Sequence, residues 1–96
     1  MKFLVLENIR SAHNVGAIFR TADGAGVSKI FLVGYTPLPT DRFGRTQPEI
    51  KKTSLGACEE VEWEHADSSS AVISALKDKG VTIVAVEQDA SSVSLK

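Results

Sequence analysis

The sequence predicts an α/β fold, with a parallel sheet of about four strands and helices on both faces. Strand-like apolar runs alternate with helical segments along the 96 residues. Most of these runs are continuous and rich in β-branched residues, which is typical of strands buried on both faces of a parallel sheet. Short joints between a strand, a helix and the next strand indicate crossover connections, and these place neighbouring strands parallel.

The first third of the chain predicts a βαβ unit. Residues 3–6 and 29–33 are short apolar strands, and residues 14–25 between them form a helix. Asn14 is the expected N-cap, and Gly26 is the residue expected just after the helix ends. The helix carries an apolar stripe at i, i+3, i+4 and i+7 spacing, which should face a core: Val15, Ile18, Phe19 and Ala22.

The remaining elements continue the alternation. Residues 34–45 are a loop, long for a compact α/β domain, and such loops are usually functional or mobile. Residues 47–53 predict a short helix, and residues 61–65 alternate between apolar and polar, as in a strand with one wet face. Residues 68–79 form the clearest helix, ended by a glycine. Residues 81–86 read as another continuous buried strand.

Composition limits the class of protein. The chain is 43% hydrophobic and 24% charged with a net charge of −1, so it is one small domain, residues 1–96, without a bulk basic signal for nucleic acid. No apolar run approaches the roughly 20 residues of a membrane span, and none resembles a signal peptide. A single cysteine suits a reducing cytoplasm. His13 and His65 have no partners at metal-ligand spacing, so no metal site is expected.

The surroundings of Arg20 are unusual. On the helical wheel it points away from the apolar stripe, and its neighbours one turn away are small: Gly16, Ala17 and Gly24. Such residues leave room for a second backbone, a partner helix or a ligand to come close.

Two stretches carry a resemblance. Residues 8–26, N-I-R-S-A-H-N-V-G-A-I-F-R-T-A-D-G-A-G, resemble the first signature motif of the SpoU (TrmH) family of RNA ribose 2′-O-methyltransferases in the SPOUT superfamily. Residues 52–57, K-T-S-L-G-A, resemble the Ser-x-Gly-Ala element that follows it. The family's other two motifs should lie beyond Lys96. The resemblance therefore implies the N-terminal part of a SPOUT α/β-knot domain, with the knot-forming C-terminal part absent from these residues.

The resemblance also implies an activity. The family transfers a methyl group from S-adenosylmethionine to a ribose 2′-hydroxyl of tRNA or rRNA, and it works as a homodimer. The main cofactor-binding segment is expected beyond Lys96, so we expect the isolated 96-residue chain to be inactive and not to bind the cofactor.

The resemblance points to specific site residues. Asn14 and Arg20 are the expected catalytic residues. A guanidinium can hold a phosphate bidentately and stabilise the developing alkoxide, while base catalysis by Arg20 stays open. The expected substrate-binding residues are Arg42, Arg45, Lys52, Thr53 and Ser54. Glu7 is added to them on its position, because it ends the first strand, where open α/β sheets place ligands. Most of them have a structural alternative: a helix cap for Asn14, a salt bridge for Arg20, a solvated loop face for the basic residues, and a cap or turn for Thr53 and Ser54.

Two other readings stay open at this point. The first alternative to the enzyme is a SpoU-like module that binds RNA or protein without catalysis. The second is an unrelated small flavodoxin-like α/β protein in which Arg20 binds an acidic ligand.

Overall fold

The computed structural model of the protein describes residues 1–41, 43–77 and 79–87. One parallel sheet lies at its centre, built from β1 (Lys2–Glu7), β2 (Lys29–Val33), β3 (Glu62–Ala66) and β4 (Thr82–Glu87). The strand order across the sheet is β3-β2-β1-β4. The helices are α1 (Ala12–Gly24), α2 (Pro48–Ser54), α3 (Ala57–Glu60) and α4 (Ser69–Lys77). The predicted α/β class, with four parallel strands, is confirmed.

Each face of the sheet has its own core, because successive side chains of a strand point to opposite faces. Leu4 and Leu6 of β1 point to the face covered by α1, α2 and α3. Val5 lies between them in sequence and packs on the other face with Phe31, Val33 and Val72 of α4. Helices therefore cover both faces, as predicted. The larger core collects these buried residues: Leu4, Leu6, Ile9, Val15, Phe19, Ala22, Ile30, Leu32, Ile50, Ala57, Cys58, Val61 and Val86.

Of the two outer strands, β3 follows the burial pattern that the sequence predicts and β4 does not. On β3, Glu62 and Glu64 are exposed while Trp63 packs against the larger core, as its alternation predicted. On β4 the expectation of a continuously buried strand is wrong, because Ala85 is exposed. Among the residues described, β4 pairs only with β1, so its other edge and part of one face remain open.

The start of α1 differs from the sequence prediction. Ser11, not Asn14, is the N-cap: its backbone is extended, and its Oγ accepts a hydrogen bond from the Asn14 backbone N–H at 3.1 Å. Both residue types cap helices well, and the upstream one does so here, which places Asn14 in the first turn. The end of α1 agrees with the prediction. Gly26 has a φ of +74°, and the Val27 N–H reaches back to the Ala22 carbonyl at 3.0 Å, as in a Schellman motif.

The predicted close approach at Gly16 is made by α2 of the same chain. A Cβ at position 16 would overlap Thr53 Oγ1 and lie 3.0 Å from the Ile50 carbonyl oxygen. The glycine therefore brings two helices together and is not open to a ligand. At Gly24, by contrast, no atom of the described residues outside the helix backbone lies within 4 Å of where a Cβ would stand.

The shorter helices follow local signals with one exception. Pro48 opens α2, as predicted, and α4 ends before Gly80, whose φ is +66°. The four-residue α3 was not predicted, because it is too short to show a period. Leu55 and Gly56, both with positive φ, separate it from α2.

Candidate functional site

The carboxyl ends of the strands form the edge where a ligand is expected. The chain passes from β1 to β2 to β3 and then returns to place β4 on the other side of β1. The direction of winding therefore reverses between β1 and β4, and open α/β sheets bind ligands at such a switch point. In register, the strands end at Glu7, Val33, Ala66 and Glu87.

Asn8 joins the loop after β1 to the loop after β2. Its φ of +53° lies in the left-handed region, which asparagine tolerates better than most residues. Its backbone N–H donates to the Val33 carbonyl at 3.1 Å, and its Oδ1 accepts from the Tyr35 N–H at 3.2 Å. A Cβ on Gly34 would overlap Asn8 Oδ1, so the amide fits only against a glycine. An asparagine directly after a strand was the only local sign of this role.

Thr36 completes the junction from inside the protein. It is 3% exposed, and its Oγ1 accepts from the Ile9 N–H at 3.1 Å. The same hydroxyl lies 2.8 Å from the Val33 carbonyl and 3.1 Å from the Leu6 carbonyl, and it donates to one of them at a time. Nothing in the sequence signalled this residue. Together, Asn8 and Thr36 hold the loops at the carboxyl edge in a defined geometry.

Glu7 lies at the switch point, where the sequence placed it. It is half-buried, and its Oε2 accepts a hydrogen bond from Ser69 Oγ, in the first turn of α4, at 3.1 Å. One carboxylate oxygen is therefore already engaged by the protein. Its role in binding a substrate stays a prediction.

Arg20 and Asn14 are both exposed on α1, but they do not share one face. Their separation of six positions corresponds to about 9 Å along the axis and about 120° around it. Within the described ranges, neither side chain forms a hydrogen bond or an ion pair. Arg20 follows Gly16 by one turn, so it lies at the margin of the contact between α1 and α2.

Thr53 and Ser54 occupy different environments on α2. Thr53 is half-buried beside Gly16, and its Oγ1 donates to the Glu49 carbonyl at 2.8 Å. Ser54 is 1% exposed. Its Oγ donates to the Lys51 carbonyl at 3.2 Å and accepts from the Cys58 N–H at 3.4 Å, so it stabilises the joint between α2 and α3. The structure thus brings Thr53 beside the helix that carries Arg20, and it encloses Ser54.

The predicted basic residues that the structure describes lie on two segments, the loop after β2 and the last turn of α2. Arg45 follows β2 in a tight loop, where its Nε donates to Asp41 Oδ2 at 2.9 Å. Lys51 and Lys52 are exposed in the last turn of α2. Arg42 lies outside the described residues. The backbone N–H groups of Arg45 and Phe43 donate to the Asp41 carboxylate and hold its pKa below the usual aspartate value, the Arg45 N–H having the larger effect.

The described residues form neither a membrane-spanning helix nor a cluster of metal ligands. In the part of the chain that the structure covers, no helix has both the length and the apolar character needed to cross a membrane. Across the same ranges, no group of three His, Cys, Asp or Glu side chains could hold a metal ion.

Comparison with known families gives a match over the whole chain. A family model described as "SpoU rRNA Methylase family" matches residues 1–96. The 23S rRNA (guanosine-2′-O-)-methyltransferase RlmB of Vibrio cholerae is 31% identical over 88 residues, which are 92% of this chain and 33% of that protein. A putative TrmH family tRNA/rRNA methyltransferase of Staphylococcus saprophyticus is 30% identical over 89 residues, 93% of this chain and 33% of that protein. The chain spans about a third of the length of these relatives.

Solved structures share the fold. A putative RNA methyltransferase of the TrmH family from Porphyromonas gingivalis superposes with a TM-score of 0.73 at 19% identity, covering 97% of this chain and 44% of that one. An AdoMet-bound rRNA methyltransferase from Sinorhizobium meliloti superposes with a TM-score of 0.63 at 30% identity, covering 74% of this chain and 25% of that one.

Proposed function

Because this chain belongs to the SpoU rRNA methylase family, we propose that it takes part in methyl transfer from S-adenosylmethionine to a ribose 2′-hydroxyl of rRNA or tRNA. Membership of that family removes the reading as an unrelated flavodoxin-like protein. A SpoU-like module that binds without catalysis is the alternative that the experiment below separates from an enzyme.

The exposed guanidinium of Arg20 carries the proposal. Among the described residues it has no hydrogen-bond or ion-pair partner, so its planar fork is available for a phosphate. A ribose 2′-hydroxyl that attacks a methyl group gains negative charge as it loses its proton. A fixed positive group next to that oxygen stabilises the developing charge. We assign Arg20 to orienting the ribose-phosphate and stabilising this charge.

Asn14 serves a different part of the substrate in this proposal. It lies in the first turn of α1, where backbone N–H groups and the helix dipole favour a phosphate. Because Asn14 and Arg20 are about 9 Å apart along the helix, we assign them to different groups of the RNA and not to one atom.

The remaining residues divide by exposure. Arg45 and Lys52 are exposed and suit phosphate contacts. Thr53 supports the α1–α2 contact beside Arg20. The enclosed Ser54 contributes through the α2–α3 joint that it stabilises. Glu7 orders the start of α4 at the switch point.

S-adenosylmethionine supplies the methyl group in the proposed reaction. The polar side chains at the carboxyl edge do not form a free binding site for this cofactor, because several already hydrogen-bond within the protein. These bonds join Asn8 to Tyr35, Thr36 to Ile9 and Glu7 to Ser69. We therefore assign only the RNA side of the site to the residues described. The homodimer implied by the resemblance stays a prediction.

The test compares Arg20→Ala and Arg20→Lys in the full-length protein, with Lys77→Ala on α4 as the control. Turnover with rRNA and tRNA substrates and affinity for the methyl donor are measured separately. Arg20→Ala should lower turnover by about 10²- to 10³-fold with donor affinity unchanged. Lysine should recover little, because a point charge does not reproduce a planar fork. Near wild-type turnover of Arg20→Ala would remove Arg20 from the site. A wild-type protein that binds RNA but methylates neither substrate would favour the non-catalytic module.

A further inference from the structure

We propose that the loop after β2 forms, with Trp63 of β3, a binding surface for two unpaired nucleotides of the RNA substrate. The choice of RNA as the ligand rests on the proposed function. The inference that this surface binds a ligand is based on exposed aromatic rings, each beside a guanidinium, around two adjoining clefts.

The first observation is the exposure of large apolar side chains. Two of those that the structure shows exposed are aromatic, and both belong to the loop after β2: Tyr35 is 55% exposed and Phe43 is 68% exposed. An exposed aromatic ring in a polar loop is a ready stacking surface, because every nucleobase has a flat π face.

The second observation is the shape around them. A cleft of about 350 Å³ is bordered by Tyr35, and a neighbouring cleft of about 800 Å³ is bordered by Phe43 and Trp63. Arg45 and His65 belong to the walls of both clefts, as does Asp41, the carboxylate that pairs with Arg45. Volumes of this size suit small ligands of nucleotide dimensions, and a cation in the shared wall lies where a linking phosphate would pass.

The third observation is that Arg45 is held in place before any ligand binds. Asp41 accepts a hydrogen bond from its Nε at 2.9 Å, and the guanidinium lies over the Phe43 ring, 5.1 Å from its centroid. With respect to the described residues, the four Nη hydrogens have no acceptor and remain for a phosphate. Ordering a long side chain in advance lowers the entropy lost on binding. Asp41 also accepts the backbone N–H groups of Phe43 and Arg45 at 2.9 Å each, so both of these residues are bonded to the same carboxylate.

A second pair repeats the arrangement. The Tyr35 hydroxyl accepts a hydrogen bond from Arg10 Nε at 3.5 Å. The Tyr35 backbone N–H is bonded to Asn8, so this ring is tied to the junction that orders the carboxyl edge.

These features favour single-stranded RNA over a duplex. Stacked and paired bases cannot present their faces to a protein ring, whereas bases in loops and bulges can. A surface of basic groups alone would bind both forms through phosphates. Stacking on the aromatic rings adds binding free energy that only unpaired bases can gain.

The protein contains its own reporter, because Trp63 is the only tryptophan in the chain. The purified protein is titrated with a ten-nucleotide single-stranded oligoribonucleotide and with the same sequence as a duplex, and Trp63 fluorescence is followed. We expect quenching and tighter binding with the single strand. Phe43→Ala should weaken that binding by about tenfold or more, as stacking contributes in related sites. Phe43→Tyr should retain most of it.

Two matched variants separate stacking from charge and from folding. Arg45→Ala should reduce the slope of log affinity against log salt by about 0.7, the value for one phosphate of a single strand. Phe43→Ala should leave that slope unchanged. Leu55→Ala removes a comparably exposed side chain, 69% exposed, between α2 and α3 and not among the residues that border either cleft, and its affinity should equal that of the wild type.

Three outcomes would overturn the inference. The first is equal affinity for the single strand and the duplex, and the second is wild-type RNA affinity of Phe43→Ala. The third is Trp63 fluorescence that does not change when RNA is added, which is the result expected if the natural ligand of this surface is a protein. Methyl transfer is a separate readout. Binding that depends on Phe43 in a protein without methyltransferase activity would support this surface and contradict the proposed enzyme. Methyltransferase activity of the wild type together with wild-type RNA affinity of Phe43→Ala would support the proposed enzyme and contradict this surface.

Discussion

The same substitution at two glycines of α1 should have opposite effects on stability. Gly16 and Gly24 lie in one helix, and alanine suits a helix better than glycine at either position. At Gly24 the added methyl group meets no atom within 4 Å. At Gly16 it would overlap Thr53 Oγ1 and lie 3.0 Å from the Ile50 carbonyl oxygen, and a carbonyl within a helix cannot move aside easily.

The expected changes in the free energy of unfolding follow from these two environments. Gly24→Ala should stabilise the protein by about 0.5–1 kcal/mol, since only the helix preference changes. At Gly16 the same gain of about 1 kcal/mol opposes an overpacking penalty of about 1–3 kcal/mol. The net effect of Gly16→Ala is therefore a loss of about 0–2 kcal/mol, and the two variants should differ by about 1–3 kcal/mol.

Urea unfolding of the two variants and the wild type measures this difference directly, with the midpoint compared at constant slope. In a domain of this size, about 1 kcal/mol corresponds to about 4–8 °C in Tm. Thr53→Ala removes the nearest atom, so it should recover part of the loss in the double variant with Gly16→Ala. If Gly16→Ala stabilised the protein as much as Gly24→Ala, α1 and α2 would not be in this contact.

Two further predictions concern the carboxyl edge and its loop. Thr36→Val should lower the free energy of unfolding by about 1–3 kcal/mol, because the Ile9 N–H loses its acceptor inside the protein. Thr36→Ser keeps the hydroxyl and should lose clearly less, so equal midpoints for the valine and serine variants in urea would contradict this role. The Asp41 carboxylate, whose pKa is lowered by the Arg45 and Phe43 N–H groups, should stabilise the loop above the usual aspartate pKa of 3.8 and stop doing so as the pH falls through its lower folded value. Amide shifts of Phe43 and Arg45 should therefore titrate below pH 3.8, and Asp41→Asn should abolish that titration; a midpoint at or above 3.8 would refute the assignment.

The sequence alone determined the elements whose causes are local. The period of its apolar residues predicted α1 and its buried stripe, and three of the four stripe residues are fully enclosed: Val15, Phe19 and Ala22. Gly26, Pro48 and Gly80 marked helix boundaries correctly because backbone restrictions act within a few residues. The N-cap was misplaced by three residues, since Ser11 and Asn14 are both good caps and only the geometry of the entering chain selects between them.

The tertiary structure decided what depends on residues far apart in the chain. Small neighbours around Arg20 could be seen in the sequence, but only folding showed that α2 covers Gly16 and that Arg20 stays exposed. The bond between Asn8 and Tyr35 joins residues 27 positions apart. In the part of the chain that the structure describes, β4 lies at the edge of the sheet, and this place explains why it is only partly buried. Local preferences act over a turn of helix or a pair of strand residues. Burial and the contacts between loops depend on which surfaces come together in the fold. Parallel strands bring together segments that lie far apart in the sequence.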